Sequence, residues 1–273
     1  MRFVASTTTI RCRACLDRLA VLLSLFSCSD VQPIGVPMVN PQPVIGPALK
    51  VLTYNVNFEL FSPTTVDAVR ATNADLVVLQ ESNAQWERAF RDVGYAYTEF
   101  RAHDPDGGMA VLSRMPFQTV EWRASPVGKF PAWCLRAETA LGTLDVLAVH
   151  LHPPLDENGL LTGYFTTSDE RVAEVRHHMA CFGRDTDLAV GDFNEGEGEA
   201  LDVVKAAGLR DAAEAFPPVA RTWEMLVGST VLQGRPDHVF LGQAWVPVRI
   251  EVLEAGGSDH RPLLVTLQPA NWP

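Results

Sequence analysis

The chain has 273 residues, enough for one large α/β domain or two small ones. Hydrophobic residues make up 47% and charged residues 20%, a balance that supports a packed core and excludes disorder throughout. The formal net charge of −11 sets the average surface against polyanions, and so against a scaffold that grips long duplex DNA. A local basic patch or a bound cation can still reverse that sign at one site.

The first predicted element, residues 1–28, reads as an export signal. Arg2, Arg11, Arg13 and Arg18 form a positive leading region, and an apolar run from Leu19 to Phe26 follows. That run is too short to span a bilayer and has the length of a signal-peptide apolar core. Leu25-Phe26-Ser27-Cys28 resembles the lipobox of bacterial lipoproteins, which implies membrane attachment through a lipidated Cys28. Phe26 departs from that pattern, so ordinary cleavage nearby stays open, as does a buried helix. The expected location is periplasmic or at the cell surface. Of the five cysteines, Cys12 and Cys15 form a lone C-x-x-C, a weak zinc signal within the leader. Cys134 and Cys181 fall in the remaining domain, and sequence leaves open whether they pair.

Residues 29–47 form a proline-rich tether, with Pro33, Pro37, Pro41, Pro43 and Pro47 favouring extended backbone. Residues 48–270 then alternate strand and helix signals with no internal repeat. Strands are expected at 49–54, 76–79, 109–112, 132–140, 143–150, 188–190, 237–241, 246–252 and 262–267. Helices are expected at 63–73, with Pro63 in the first turn, and at 84–93, N-capped by Asn83. Further helices are expected at 166–182 and 196–207. Many strands with few helices suit a layered α/β domain.

Polar residues recur at the ends of the apolar strands. Asn55 and Asn57 follow the first, Glu81 the second, His150 and His152 the strand from Thr143, and Asp192 and Asn194 the strand from Leu188. Asp259 and His260 precede the last. A single Asn or Asp there is an ordinary turn or cap residue. Five strand ends with the same habit suit phosphoester hydrolysis. Carboxylates with amide oxygens form the hard ligand set of Mg²⁺ or Mn²⁺. An Asp beside an imidazole can orient water, and an Asn can donate to phosphoryl oxygens.

The strings Thr53-Tyr-Asn55, Leu79-Gln80-Glu81, Gly108-Met-Ala-Val-Leu-Ser113-Arg114 and Val149-His150-Leu151 occur in that order. They are followed by Gly191-Asp192-Phe193-Asn194, Arg235-Pro236-Asp237-His238 and Gly257-Ser258-Asp259-His260-Arg261-Pro262. The set resembles the endonuclease/exonuclease/phosphatase family across nearly all of the chain after the tether. The resemblance implies a four-layer α/β sandwich, DNase-like, with two packed mixed β-sheets flanked by helices. It implies a divalent-metal-dependent hydrolase in which Glu81 is the main metal ligand, with Asn55 beside it and Asp259 near the metal. Asp192 would align or deprotonate the water, Asn194 would contact the phosphate, and Asp237 would orient the catalytic His260. Asn57 and His152 are further candidate substrate contacts. His150 is preferred to His152 because Val146, Ala148 and His150 share one strand face. The candidate substrates are a nucleic acid, a phospholipid head group or a small phosphoester. No protein partner is implied.

Rival readings carry less. Ser258, Asp259 and His260 are neighbours that cannot converge as a serine-hydrolase triad. His150-x-His152 with Asp156 suggests a zinc hydrolase but lacks further ligands at a recognisable spacing. Glu195, Glu197 and Glu199 read as a solvated acidic edge, and His177-His178 as surface or partly buried helix. His103, Asp104 and Asp106 read as solvated loop. A non-catalytic binding module would lack one of the metal- or water-handling residues, and none is missing.

Overall fold

The computed structural model describes residues 44–103, 107–156, 159, 162–163, 166–218 and 220–272. The expected leader with Cys28, most of the tether, Asp104 and Asp106 lie outside these residues. The described strands form two six-stranded mixed sheets and one separate ribbon. The first sheet contains β1 (Leu49–Asn55), β2 (Leu76–Ser82), β3 (Tyr97–Arg101), β4 (Gly108–Ser113), β13 (Trp245–Val252) and β14 (Leu263–Pro269), in the order β13-β14-β1-β2-β4-β3. The second contains β5 (Phe117–Arg123), β6 (Ala132–Thr139), β7 (Gly142–His150), β8 (Leu188–Asp192), β9 (Arg210–Asp211) and β12 (Asp237–Leu241), in the order β5-β6-β7-β8-β12-β9. The ribbon pairs β10 (Trp223–Val227) with β11 (Thr230–Gly234).

The sheets pack face to face because their strands alternate. Val51, Val78 and Val111 from the first meet Trp133, Val146 and Val190 from the second in one buried cluster. The outer faces are covered by helices. Leu52, Val77 and Leu79 pack with α1 (Pro63–Thr72) and α2 (Ala84–Phe90) through Val66, Val69, Trp86 and Phe90. Leu147, Val149 and Ala189 pack with α3 (Ser168–Met179) and α4 (Glu199–Ala206) through Val172, Val175, Leu201 and Val204. The result is the expected four-layer α/β sandwich.

Helix limits follow local chemistry. Ser62 caps α1 by accepting from Thr64 N, and Asn73 ends it at φ 52°. Asn83 caps α2 as expected, accepting from Gln85 N and Trp86 N, but the helix stops at Phe90 rather than Val93. The helix expected at 196–207 begins only at Glu199, because Glu195 Oε1 reaches over Gly198 to accept from Ala200 N at 3.1 Å. A disulfide joins Cys134 in β6 to Cys181 just beyond α3. Among the described residues no helix is long and apolar enough to cross a membrane.

Candidate active site

Register places the catalytic candidates of the second sheet side by side. His150 pairs with Asp192 across the parallel β7–β8 ladder, and Asp192 with Asp237 across the antiparallel β8–β12 ladder. Residues paired in register project to the same face, so the three side chains line up at one end of the sheet. Gly191 lets β8 close on β7. It has φ 146°, and a Cβ there would stand 1.9 Å from the Val149 carbonyl oxygen. Beyond the strand, Asn194 turns back with φ 52°, its N–H donating to Asp192 Oδ1 at 2.8 Å and its Nδ2 to Leu151 O at 2.8 Å.

The first sheet contributes from β1 and β2. A register shift between Gln80 and Ser82 leaves Glu81 out of the ladder at φ 56°, which re-aims its side chain toward the end of β1. Asn55 Nδ2 donates to Glu81 Oε1 at 2.9 Å and to Asp192 Oδ2 at 3.0 Å, so one buried amide spans the two sheets. Asn57, at φ 57°, donates from Nδ2 to Asp259 Oδ1 at 2.8 Å. Ser258 Oγ donates to Asn55 O at 2.7 Å and accepts from His260 N at 3.1 Å, tying the loop before β14 to the end of β1.

His260 is held from both sides. Its Nδ1 and Asp237 Oδ2 share a proton at 2.9 Å, and its Nε2 faces Asp192 Oδ2 at 3.7 Å. Burial alone would strip the imidazolium, but the charges of Asp237 and Asp192, the Asp237 hydrogen bond and the Asp259 charge push its pKa up to about 10. His150 goes the other way. Burial pulls it down to about 4 against the Asp192 charge, so it is a neutral imidazole. Its Nε2 lies 3.8 Å from both Glu81 Oε1 and Asp192 Oδ2, and its ring stacks on Phe130 with centroids 3.8 Å apart. Burial also raises the Glu81 carboxyl above its ordinary range.

His152 does not join this group. It is half-buried, its Nδ1 lies 2.8 Å from Pro153 O, and its N–H donates to Glu174. Asp156 instead accepts from Thr162 and Thr166, so the three residues of the zinc reading are not assembled. The solvated-edge reading of Glu195 is corrected, while a partly buried His177-His178 pair is as expected. Glu195 is buried, held by Arg171 Nε at 2.8 Å, because α3 brings that guanidinium under the loop after β8. His178 is fully buried on the inner side of α3, whereas His177 is exposed. Glu197 and Glu199 are exposed, and His103 packs edge-on to Phe130.

Four carboxylates therefore converge near a single imidazolium. Among the described residues, their hydrogen bonds come from amides, a hydroxyl, the Trp223 indole and His260. Asp237 Oδ1 is buried with no hydrogen-bond partner among the described residues. Asp192, Asp237 and His260 can place one ligand atom each within 4.8 Å of one another. Buried carboxylates in excess of local cations, with oxygen donors throughout, fit a hard divalent cation such as Mg²⁺ or Mn²⁺. Glu81, with Asn55 and Asp259, is the set that the family resemblance implies would hold it.

Sequence reading missed Trp223, whose Nε1 donates to Asp259 Oδ2 at 3.0 Å, and Phe130 beneath His150. Neither sits in a motif or a periodic run. Ser258 was part of a motif but carried no role. Arg171 and Glu174 were hidden in the polar positions of a helix.

Comparison with known proteins places the chain's family and fold. The sequence profile of the Endonuclease/Exonuclease/phosphatase family matches residues 52–260. TDP2 from D. rerio, solved with a single strand DNA product, superposes with a TM-score of 0.63 at 18% identity, covering 81% of this chain and 99% of that one. An endonuclease/exonuclease/phosphatase from Beutenbergia cavernae superposes at 0.60 and 19% identity, covering 81% and 72%. A family protein from Bacteroides thetaiotaomicron superposes at 0.56 and 20% identity, covering 83% and 98%. No match is found among curated proteins. These structural likenesses concern the fold, while the profile match spans most of the chain and both sheets: the protein belongs to the Endonuclease/Exonuclease/phosphatase family.

Proposed function

We propose that this chain is an exported, divalent-metal-dependent phosphoesterase that hydrolyses its substrate by in-line attack of water. The observation that carries the reading is the lateral line of His150, Asp192 and Asp237, closed by His260 and bridged through Asn55 to Glu81.

The two protonation states divide the labour. The Asp237 and Asp192 charges favour the protonated form of His260 against its burial, which suits it to donate a proton rather than to accept one. Its Nε2–H donates to a phosphoryl oxygen and stabilises the charge that develops there. Asp237 fixes the ring's tautomer and orientation through Nδ1. Asp192, steadied by Asn55 and by the Asn194 N–H, takes the proton of the attacking water. The phosphorus–oxygen bond to the leaving group breaks on the opposite side. Neutral His150 adds a donor or acceptor without adding charge. Asn194 keeps one Nδ2 proton for the phosphate after bonding Leu151 O. A cation held by Glu81, Asn55 and Asp259 would polarise the phosphoryl group and neutralise its charge.

Export is supported by the positive-then-apolar leader and by the Cys134–Cys181 disulfide, a bond that persists in oxidising compartments. Anchoring through Cys28 is consistent with both. The DNA product in the D. rerio TDP2 structure keeps a nuclease open, but the net charge of −11 favours a smaller or lipid phosphoester over long duplex. The test is hydrolysis of bis(p-nitrophenyl) phosphate and p-nitrophenyl phosphate with Mg²⁺, with Mn²⁺ and with chelator. Cation-dependent release of nitrophenolate supports the proposal. A folded chain whose turnover is indifferent to chelator contradicts it.

A further inference from the structure

The ribbon of β10 and β11 belongs to neither large sheet, and its sequence is unusual for an exposed element. Met225, Leu226, Val227, Gly228, Ser229, Thr230, Val231 and Leu232 carry no charge. Four of them are exposed apolar side chains: Met225 at 39%, Leu226 at 69%, Val227 at 50% and Val231 at 50%. The two-residue turn holds Gly228 at φ 62°, which fixes the register. In that register Met225 pairs with Leu232 and Val227 with Thr230 on one face, while Leu226 pairs with Val231 on the other. The tip is therefore apolar on both faces.

Two-sidedness decides what covers it. A sheet face that docks on a protein is apolar toward the partner and polar away from it. A tip that is apolar all round suits a medium that surrounds it. The absence of charge on the tip, on a chain of net −11, points to neutral rather than anionic surroundings. The root of the same ribbon is built into the site. Trp223 bridges to His260, Glu224 N donates to Asp259 O at 3.0 Å, and Trp223 Nε1 donates to Asp259 Oδ2 at 3.0 Å.

We infer that the β10–β11 tip inserts into the surface of a zwitterionic lipid layer and so presents the site to phosphoesters at the lipid–water boundary. This deepens the phosphoesterase reading and rests on it for the substrate class. The dimensions agree. Four strand steps separate Trp223 from Val227, roughly 13 Å, and a head-group layer is about 5–8 Å deep. Tip side chains in the outer hydrocarbon thus leave Trp223, Asp259 and His260 near the level of the phosphates. Unpaired strand edges keep the ribbon from going deeper.

The test uses the full chain carrying Leu226→Trp, with phosphatidylcholine vesicles brominated on their acyl chains. Residues 1–47 contain no tryptophan, so attachment through the leader cannot mimic the signal. The expected result is a blue shift and quenching of the introduced indole beyond any change in the unsubstituted chain. A second variant, Leu226→Glu with Val231→Glu, should lower partitioning onto these vesicles by roughly tenfold or more. It should keep cation-dependent hydrolysis of soluble bis(p-nitrophenyl) phosphate. An introduced indole with the same emission in brominated and ordinary vesicles overturns the inference, even if hydrolysis is intact. Insertion by a chain that hydrolyses nothing upholds the lipid contact and overturns the phosphoesterase reading alone.

Discussion

Glu81 at φ 56°, Asn57 at φ 57° and Asn194 at φ 52° all lie where backbone geometry opposes an L side chain, and all three flank the carboxylate cluster. Such conformations cost on the order of 1–3 kcal/mol each for ordinary residues and persist where neighbours over-determine them. Here the neighbours are identifiable: Asn55 and the Phe58 N–H hold Glu81, Asp259 holds Asn57, and Asp192 with Leu151 holds Asn194. A different residue carries a cost that depends on pH. His178 is buried, neither ring nitrogen has a partner among the described residues, and burial pulls its pKa down to about 3. The folded value lies below the unfolded one of about 6.5. Stability is therefore fully present above pH 6.5 and is lost as pH falls toward 3, by about 1.4 kcal/mol per unit. Urea unfolding at pH 7 and pH 4.5 should show that loss in the native chain. In His178→Leu it should be smaller by roughly 2 kcal/mol. An equal loss in both chains contradicts this assignment.

At the scale of elements, α3 acts as a clamp on the two loops that follow His150 and Asp192. Arg171 reaches Glu195 Oε2 at 2.8 Å and Thr167 Oγ1 at 2.8 Å, and Glu174 accepts from His152 N at 2.6 Å and Ser125 Oγ at 2.7 Å. Arg171 is 2% exposed, so Arg171→Ala leaves Glu195 charged and buried without its partner. The expected loss is about 3–5 kcal/mol, read by thermal or urea unfolding. Restoring neutrality with Arg171→Met and Glu195→Gln together should recover much of it, and equal losses in both would contradict the pairing. This clamp also shows where the sequence became opaque. β1, β2, β7 and β8 were legible because each is a short apolar run with a polar residue at its end, and β12 because its apolar run is entered through Asp237; those polar residues make the site. Arg171, Glu174 and Glu195 sit in polar stretches, and only the packing of α3 against the second sheet takes them out of water. The β10–β11 ribbon was missed for the opposite reason. Its strands are apolar on both faces, so the alternation that marks a half-buried strand is absent. Trp223 and its bond to Asp259 were lost with it. The Glu81 bulge was equally silent, since nothing in Leu79-Gln80-Glu81-Ser82 announces a register shift.

At the scale of the whole molecule, the site exists only where two sheets meet. Glu81 and Asn55 come from one, His150, Asp192 and Asp237 from the other, and His260 from the loop that returns to the first. The Val51–Val146 core between the sheets sets their separation, and at the site Asn55 makes a hydrogen bond across it. Under the proposed roles, neither sheet alone carries both the cation-holding and the water-handling groups. The two halves should therefore act as one catalytic unit, and removing either should remove the whole. The direct measurement is kcat/KM for bis(p-nitrophenyl) phosphate with saturating Mg²⁺ in Glu81→Ala, in Asp192→Asn and in the double variant. Each single change should lower it by about 10³-fold or more, and the double should fall no further than the worse single. Independent, multiplying losses, or near-native cation-dependent turnover in either single variant, would contradict a single site shared between the sheets.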